Sequence, residues 1–191
     1  SAALIVFIGT VDDIYDLSVS SRIIFQCIVA FILVFGAGLY ISDLGNIFSL
    51  GKVDIGISGT IFTVLACLVA INAFNMVDGI DGLAGSMSII TIGSIVTLNF
   101  IAGKAFYILL PLVIVVATIP FLFYNVSRRN PRGKKIFMGD AGSMFMGLSV
   151  IWLLTLSTQP EMSSFRPVTA LWIIAVPLLD MFTIMFRRIR A

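Results

Sequence analysis

Long runs of almost uncharged residues recur along this chain, and they decide what it can fold into. Spans can be marked at roughly 23–41, 58–74, 86–102, 105–125 and 168–186. A shorter sixth lies at roughly 143–157, and residues 2–9 read as the end of one more. About 20 apolar residues cross the hydrocarbon core of a bilayer. Charged residues make up 12% of the chain, about half the share of a soluble domain, and mean hydropathy is +1.11. In hydrocarbon a segment must satisfy its own backbone hydrogen bonds, so helices are the natural spanning elements. The expected fold class is therefore all-α: a polytopic transmembrane helical bundle with six spans at 23–41, 58–74, 86–102, 105–125, 143–157 and 168–186. Residues 1–191 read as one integral membrane domain. Ser1–Gly9 looks like the tail of an apolar helix and Arg187–Ala191 like a basic stop, so the chain reads as a piece of a longer protein.

The spans force the loops to alternate sides. One side receives 10–22, 75–85, 126–142 and 187–191, and the other 42–57, 103–104 and 158–167. Arg22, Arg128, Arg129, Arg132, Lys134, Lys135, Arg187, Arg188 and Arg190 fall on the first side; Lys52, Lys104 and Arg166 fall on the second. Nine against three makes the first side cytoplasmic by the positive-inside rule. Asp12, Asp13, Asp16, Asp78, Asp81 and Asp140 collect at the same ends, while Asp180 alone sits inside a span. The chain has no histidine, which excludes histidine bases and histidine zinc sites within it. Cys27 and Cys67 lie in apolar runs with no disulfide or metal spacing.

Three acidic clusters share the cytoplasmic side. Gly9–Asp16 carries Asp12, Asp13 and Asp16 beside a span; if helical, Asp12 and Asp16 share a face, as do Asp13 and Asp16. Asn72–Ser86 carries Asn75, Asp78 and Asp81 at intervals of three, bracketed by Gly79, Gly82 and Gly85, so one helical turn could align the three. Phe137–Ser143 places Asp140 among small residues at the start of a span, where a helix N-terminus favours anions. Each has a plain alternative: a solvated helix end, an Asp-Gly turn and an N-cap. Their coincidence on one membrane face, beside basic residues at 128–135 and 187–190, suits a metal–diphosphate complex. Carboxylates hold a hard cation, and arginines hold free phosphate oxygens.

At this point the chain resembles the polyprenyl-phosphate N-acetylhexosamine-1-phosphate transferases. The Asp12-Asp13 pair, the run from Asn72 to Leu83 and the run from Phe137 to Ser143 match that family's signatures in order and topology. The resemblance covers essentially the whole chain and places its start at the end of the third span and its end before a histidine loop. It implies a transferase in the bacterial inner membrane. Undecaprenyl phosphate would attack UDP-N-acetylglucosamine at the cytoplasmic face, and the lipid-linked product would start envelope polysaccharide synthesis. It also implies Mg²⁺ or Mn²⁺ held by Asn75 and Asp140. Asp12 and Asp13 would be the catalytic pair, supported by Asp78. Asp81, Asn125 and Phe137 would address the nucleotide sugar, and Arg187, Arg188 and Arg190 would be phosphate ligands. Membrane lipid is an expected partner and nucleic acid is not, with homodimerisation left open. Two rivals fit less well. CDP-alcohol phosphatidyltransferases need an Ala-Arg pair after Asp-Gly, whereas Gly82 is followed by Leu83-Ala84-Gly85-Ser86. Transporters place ionisable groups at mid-bilayer, and here only Asp180 is so placed.

Overall fold

A computed structural model describes residues 1–45, 53, 55–126, 136–159 and 163–190. Lys52, Asp54, Glu161 and the basic run Arg128, Arg129, Arg132, Lys134 and Lys135 lie outside the described residues. The described chain is a bundle of α-helices: α1 (Ala2–Tyr15), α2 (Val19–Ala37), α3 (Ser58–Val77), α4 (Leu83–Ile101), α5 (Leu109–Val126), α6 (Gly139–Thr158), α7 (Pro167–Ile173) and α8 (Ala175–Arg190). A single 3₁₀ turn, Ala105–Tyr107, precedes α5. Five helical segments are long and apolar enough to cross a membrane, and α7 with α8, a bent pair, makes a sixth if the two form one span. The all-α polytopic fold expected from the apolar runs is the one observed.

The hydroxyl side chains show how such helices tolerate an apolar solvent. Ser88, Thr91, Thr97, Thr118, Thr155 and Thr158 each donate to the carbonyl four residues earlier in the same helix. Each hydroxyl is thus satisfied without water. Polarity is inward and apolar surface outward. Asn99, Thr63, Thr118 and Asn125 are buried, while Ile24, Phe35, Leu109, Val113, Val116 and Phe123 are exposed. Water would make that distribution costly, whereas hydrocarbon or further apolar helices would not.

Helix α6 is the hub, although it is among the least hydropathic of the spans. Of its apolar window 67% is buried, against 11% for Ala105–Val126, so α6 is core and α5 lies at the periphery of the described bundle. Its largest interfaces are with α3 and α1. The α3 contact depends on Gly147: a Cβ there would stand 2.6 Å from Ile71 Cα and 2.7 Å from the Ala70 carbonyl oxygen. Those are backbone atoms, which cannot turn aside.

Two helix boundaries differ from the sequence expectation. Helix α1 does not end near Gly9 but continues through Asp12 and Asp13 to Tyr15. The last span breaks at Ile174, and its two halves meet at 62°. Pro177 explains the break. A proline ring clashes with the carbonyl four residues earlier, here that of Ile173, the last residue of α7.

Hydrogen bonds tie the bundle together at both ends. At one end Asn99 bonds Ser157 and Ser164, and Gln159 accepts from Ser42. At the other lie the last turns of α1 and α3 and the first turns of α2 and α6. Arg22, Arg187, Arg188 and Arg190 belong to this second end, and Lys104 and Arg166 to the first.

Gly147→Val should lower stability by about 1–3 kcal/mol through overpacking against α3, read as a drop in melting temperature in detergent. Gly93→Ala is the control, because a Cβ there meets nothing within 4 Å. It should leave the melting temperature unchanged or raise it.

Candidate active site

Helix α1 delivers two carboxylates on its last turn. Gly9 sets how near they come to α6, since any Cβ at Gly9 would overlap the backbone of Ala141. Asp13 then reaches across to the start of α6. Its Oδ1 accepts the N–H of Asp140 at 2.8 Å and its Oδ2 that of Ala141 at 3.3 Å. The first N–H groups of a helix have no partner within it, and an anion there also meets the positive end of the dipole. Asp13 is thus a cap supplied by a neighbouring helix.

Asp12 turns the other way and is buried, only 3% exposed. Its Oδ1 accepts the N–H of Leu17 at 2.9 Å, which folds the chain back after α1. Its Oδ2 meets the Arg22 guanidinium at 3.2 Å. Arg22 also stands 3.7 Å from Asp140 Oδ2, so one cation bridges α1, α2 and α6. Asp16 does not share the face of Asp12. It adopts a left-handed conformation with φ 54° as the C-cap and points to solvent.

Helix α3 contributes Asn75, whose Nδ2 donates to Asp140 Oδ1 at 2.7 Å and to Ser143 Oγ at 3.2 Å. Asp78 follows directly after the helix and accepts the N–H of Gly139 at 3.1 Å. Burial pushes the Asp78 carboxyl up to about 6. The Gly139 bond opposes that rise, while the charges of Asp140 and Asp13 add to it. Because α3 ends at Val77, one helical turn does not align Asn75, Asp78 and Asp81.

Asp81 instead lies in a shallow groove between the start of α4 and the end of α5, with Gly82, Ser86, Leu122 and Val126. Asn125 is buried and uses both ends of its amide. It accepts the N–H of Gly82 and donates to the Ile136 carbonyl at 2.7 Å. It therefore pins the Asp81–Gly82 turn to the segment leading into α6. Phe137, beside Ile136, is exposed. Arg187, Arg188 and Arg190 occupy the last turn of α8, where cations favour a helix C-terminus. Arg190 stacks 4.2 Å from the centre of the Phe186 ring. Among the described residues, the ion pairs of the acidic cluster are with Arg22 and not with these three.

Five predicted residues therefore meet: Asp12, Asp13, Asn75, Asp78 and Asp140. Sequence reasoning missed Arg22 and Ser143. Arg22 had been counted only as a positive-inside anchor, yet it was the one basic residue within ten positions of the Asp12-Asp13 pair.

Residues 1–158 match the glycosyl transferase family 4. The chain belongs to this family. It is 42% identical over 189 residues to the undecaprenyl-phosphate alpha-N-acetylglucosaminyl 1-phosphate transferase of Yersinia pestis, covering 99% of this chain and 52% of that protein. Identity to the protein of the same name from Escherichia coli K12 is also 42%, over 99% of this chain and 51% of the relative. For Haemophilus influenzae it is 40%, over 100% and 54%. The chain thus spans about half the length of the curated relatives it matches. Every segment that builds the cluster, from Asp12 to Ser143, falls within the part shared with the family.

The cluster carries residue types that would hold a divalent cation. Four carboxylates, from Asp12, Asp13, Asp78 and Asp140, gather at this end of the bundle with one guanidinium, from Arg22, which pairs with Asp12 and Asp140. That excess negative charge would favour an added cation. Among the described residues no three acidic or sulfur side chains are grouped closely enough to hold a metal ion by themselves. Mg²⁺ typically takes one or two carboxylates and completes its shell with water and substrate phosphate. Asp140 and Asn75 would serve in that way only once the Asn75 amide, which here donates to Asp140, and Arg22 gave way to the ion.

Two outcomes follow for Mn²⁺ binding, read by electron paramagnetic resonance. Affinity should fall as pH drops through about 6, because protonation of Asp78 removes one of the attracting charges. Arg22→Gln should tighten binding roughly tenfold, since a unit charge a few ångströms away is worth at least about 1 kcal/mol.

Proposed function

We propose that the protein transfers N-acetylglucosamine-1-phosphate from UDP-N-acetylglucosamine to undecaprenyl phosphate, at the cytoplasmic face of the bacterial inner membrane. The observation that carries this reading is the convergence of four carboxylates and one arginine from three helices and the turn after α3 at one end of a membrane bundle. The names of the relatives supply the acceptor and the transferred group.

In the proposed reaction an oxygen of the lipid phosphate attacks the β-phosphorus of the nucleotide sugar. The bond to UMP breaks and UMP leaves with the electron pair. Two anions must meet, so the physical problem is charge. When bound, Mg²⁺ or Mn²⁺ would neutralise the diphosphate and stabilise departing UMP. Asp140 and Asn75 would hold it. Arg22 would exchange its hold on Asp140 for a phosphate oxygen, which a guanidinium can grip with two donors. Arg187, Arg188 and Arg190 are further candidates for phosphate.

No strong base is required. The second pKa of a phosphate monoester is near 6, so the acceptor is largely dianionic at neutral pH. With both oxygens of Asp13 bonded to the start of α6, its part is to position Asp140 rather than to remove a proton. Asp12 orients Arg22. Asp81 and Phe137 would face the uridine, with Asn125 holding the turn that carries Asp81.

The acceptor tail needs an apolar path. A cavity of about 340 Å³ opens between α3, α6, α7 and α8, lined by Phe62, Leu65, Val69, Leu154, Ile174 and Leu178. Ala70, at its inner end, is five residues from Asn75 on α3, about 7.5 Å along the helix. A lipid headed by phosphate at the cluster could lay isoprene units there. Ile174, at the bend between α7 and α8, lines this space.

Membranes containing the complete protein should form a labelled lipid product from UDP-N-acetylglucosamine in a Mg²⁺-dependent manner. Asp140→Asn should lower the rate by about 100-fold or more, the scale of losing electrostatic stabilisation at a reacting phosphate. Product from another UDP-hexosamine alone would change the donor; no product from any, with folded protein, would overturn the reading.

A further inference from the structure

One turn deeper in the bundle than the cluster lies a polar pair that the reaction does not use. Gln26 of α2 is fully buried. Its Oε1 accepts from Asn72 Nδ2 of α3 at 2.8 Å. Asn72 Nδ2 also donates to the Leu68 carbonyl at 2.8 Å. Gln26 Nε2 has no partner, and among the described residues it is the one buried side-chain nitrogen or oxygen in that condition.

On stability alone this residue is a poor choice. An orphaned buried N–H₂ costs more than one interhelical amide bond returns in a membrane. Leucine or methionine would fill similar space with nothing left unsatisfied. A buried polar residue that costs stability has one well-attested use, which is to fix the register of two helices.

The position of the pair fits that use. Gln26 lies four residues after Arg22, on the same face of α2. Asn72 lies three residues before Asn75, on the same face of α3. Arg22 and Asn75 grip opposite oxygens of the same carboxylate, Asp140 Oδ2 and Oδ1. The α2–α3 contact is thus made twice: through Asp140 at the cluster, and directly between Gln26 and Asn72 a turn below. An apolar contact between α2 and α3 could slide; an amide bond with one partner cannot.

We propose that Gln26 is a positioning residue for the transfer reaction. Its bond to Asn72 sets the register of α2 against α3 and so the place of the Arg22 guanidinium relative to Asp140. This rests on the transferase reading for its catalytic consequence, but not for its structural one.

The test uses the complete protein in membranes, with Gln26→Leu and the exchanged pair Gln26→Asn with Asn72→Gln. Gln26→Leu should keep or raise the melting temperature. Its kcat should fall at least tenfold with KM for the nucleotide sugar within about threefold. Its Mn²⁺ affinity should rise, in the direction expected of Arg22→Gln, because Asp140 is released. The exchanged pair, which restores an amide bond of the same combined length, should recover most of the lost kcat. Full activity in Gln26→Leu would overturn the proposal. So would a loss that tracks a lowered melting temperature, or an exchanged pair as impaired as Gln26→Leu. If the native protein transfers nothing, the Mn²⁺ affinities still decide the register claim: a shift in Gln26→Leu supports it, and no shift overturns it.

Discussion

Everything at the polar end of this bundle depends on the first turn of α6 meeting the last turn of α1. The unpaired N–H groups of Asp140 and Ala141 need acceptors, and Asp13 supplies them from another helix. That contact fixes the direction of Asp140. It requires the absence of a side chain at Gly9, which would otherwise hold the two backbones apart. Asn75 and Arg22 then reach the Asp140 carboxylate from α3 and α2, and Asn75 also bonds Ser143.

The result is a site with more negative charge than it can neutralise. Asp78 carries the mark of this, its carboxyl pushed up to about 6 by burial and by its acidic neighbours. A fold selected only for stability would have no use for such crowding, since carboxylates held close together repel one another. A site that must gather a cation and a diphosphate has every use for it. Arg22 is part of the same balance: it partly compensates the cluster, yet stands where it would also compete with an added cation.

The fold was legible because hydrocarbon solvent leaves few choices: apolar runs of spanning length become helices, and α2 to α6 do. The break at Ile174 was less visible, although Pro177 stood in the sequence, because membrane helices often tolerate proline and α5 continues through Pro120. At the site, the sequence put Asp12, Asp13, Asn75, Asp78 and Asp140 on one membrane face, and the helices bring them together there. Their bonding was not legible: spacing of three suggested one helical face for Asn75, Asp78 and Asp81, and the end of α3 at Val77 broke it. Arg22 and Gln26 escaped notice for a different reason. Each gains its meaning from helices distant in sequence, and no local pattern carries that.

The central claim is that Asp140 brings a divalent cation and the diphosphate of the donor together at the start of α6. Its most direct test is phosphorus magnetic resonance of UDP-N-acetylglucosamine bound to the complete protein, with Mn²⁺ as the paramagnetic ion. Strong Mn²⁺-dependent broadening of both donor phosphorus signals, abolished in Asp140→Asn, is the predicted result. Equal broadening in the native and variant proteins, or none in either while the donor remains bound, would contradict the account.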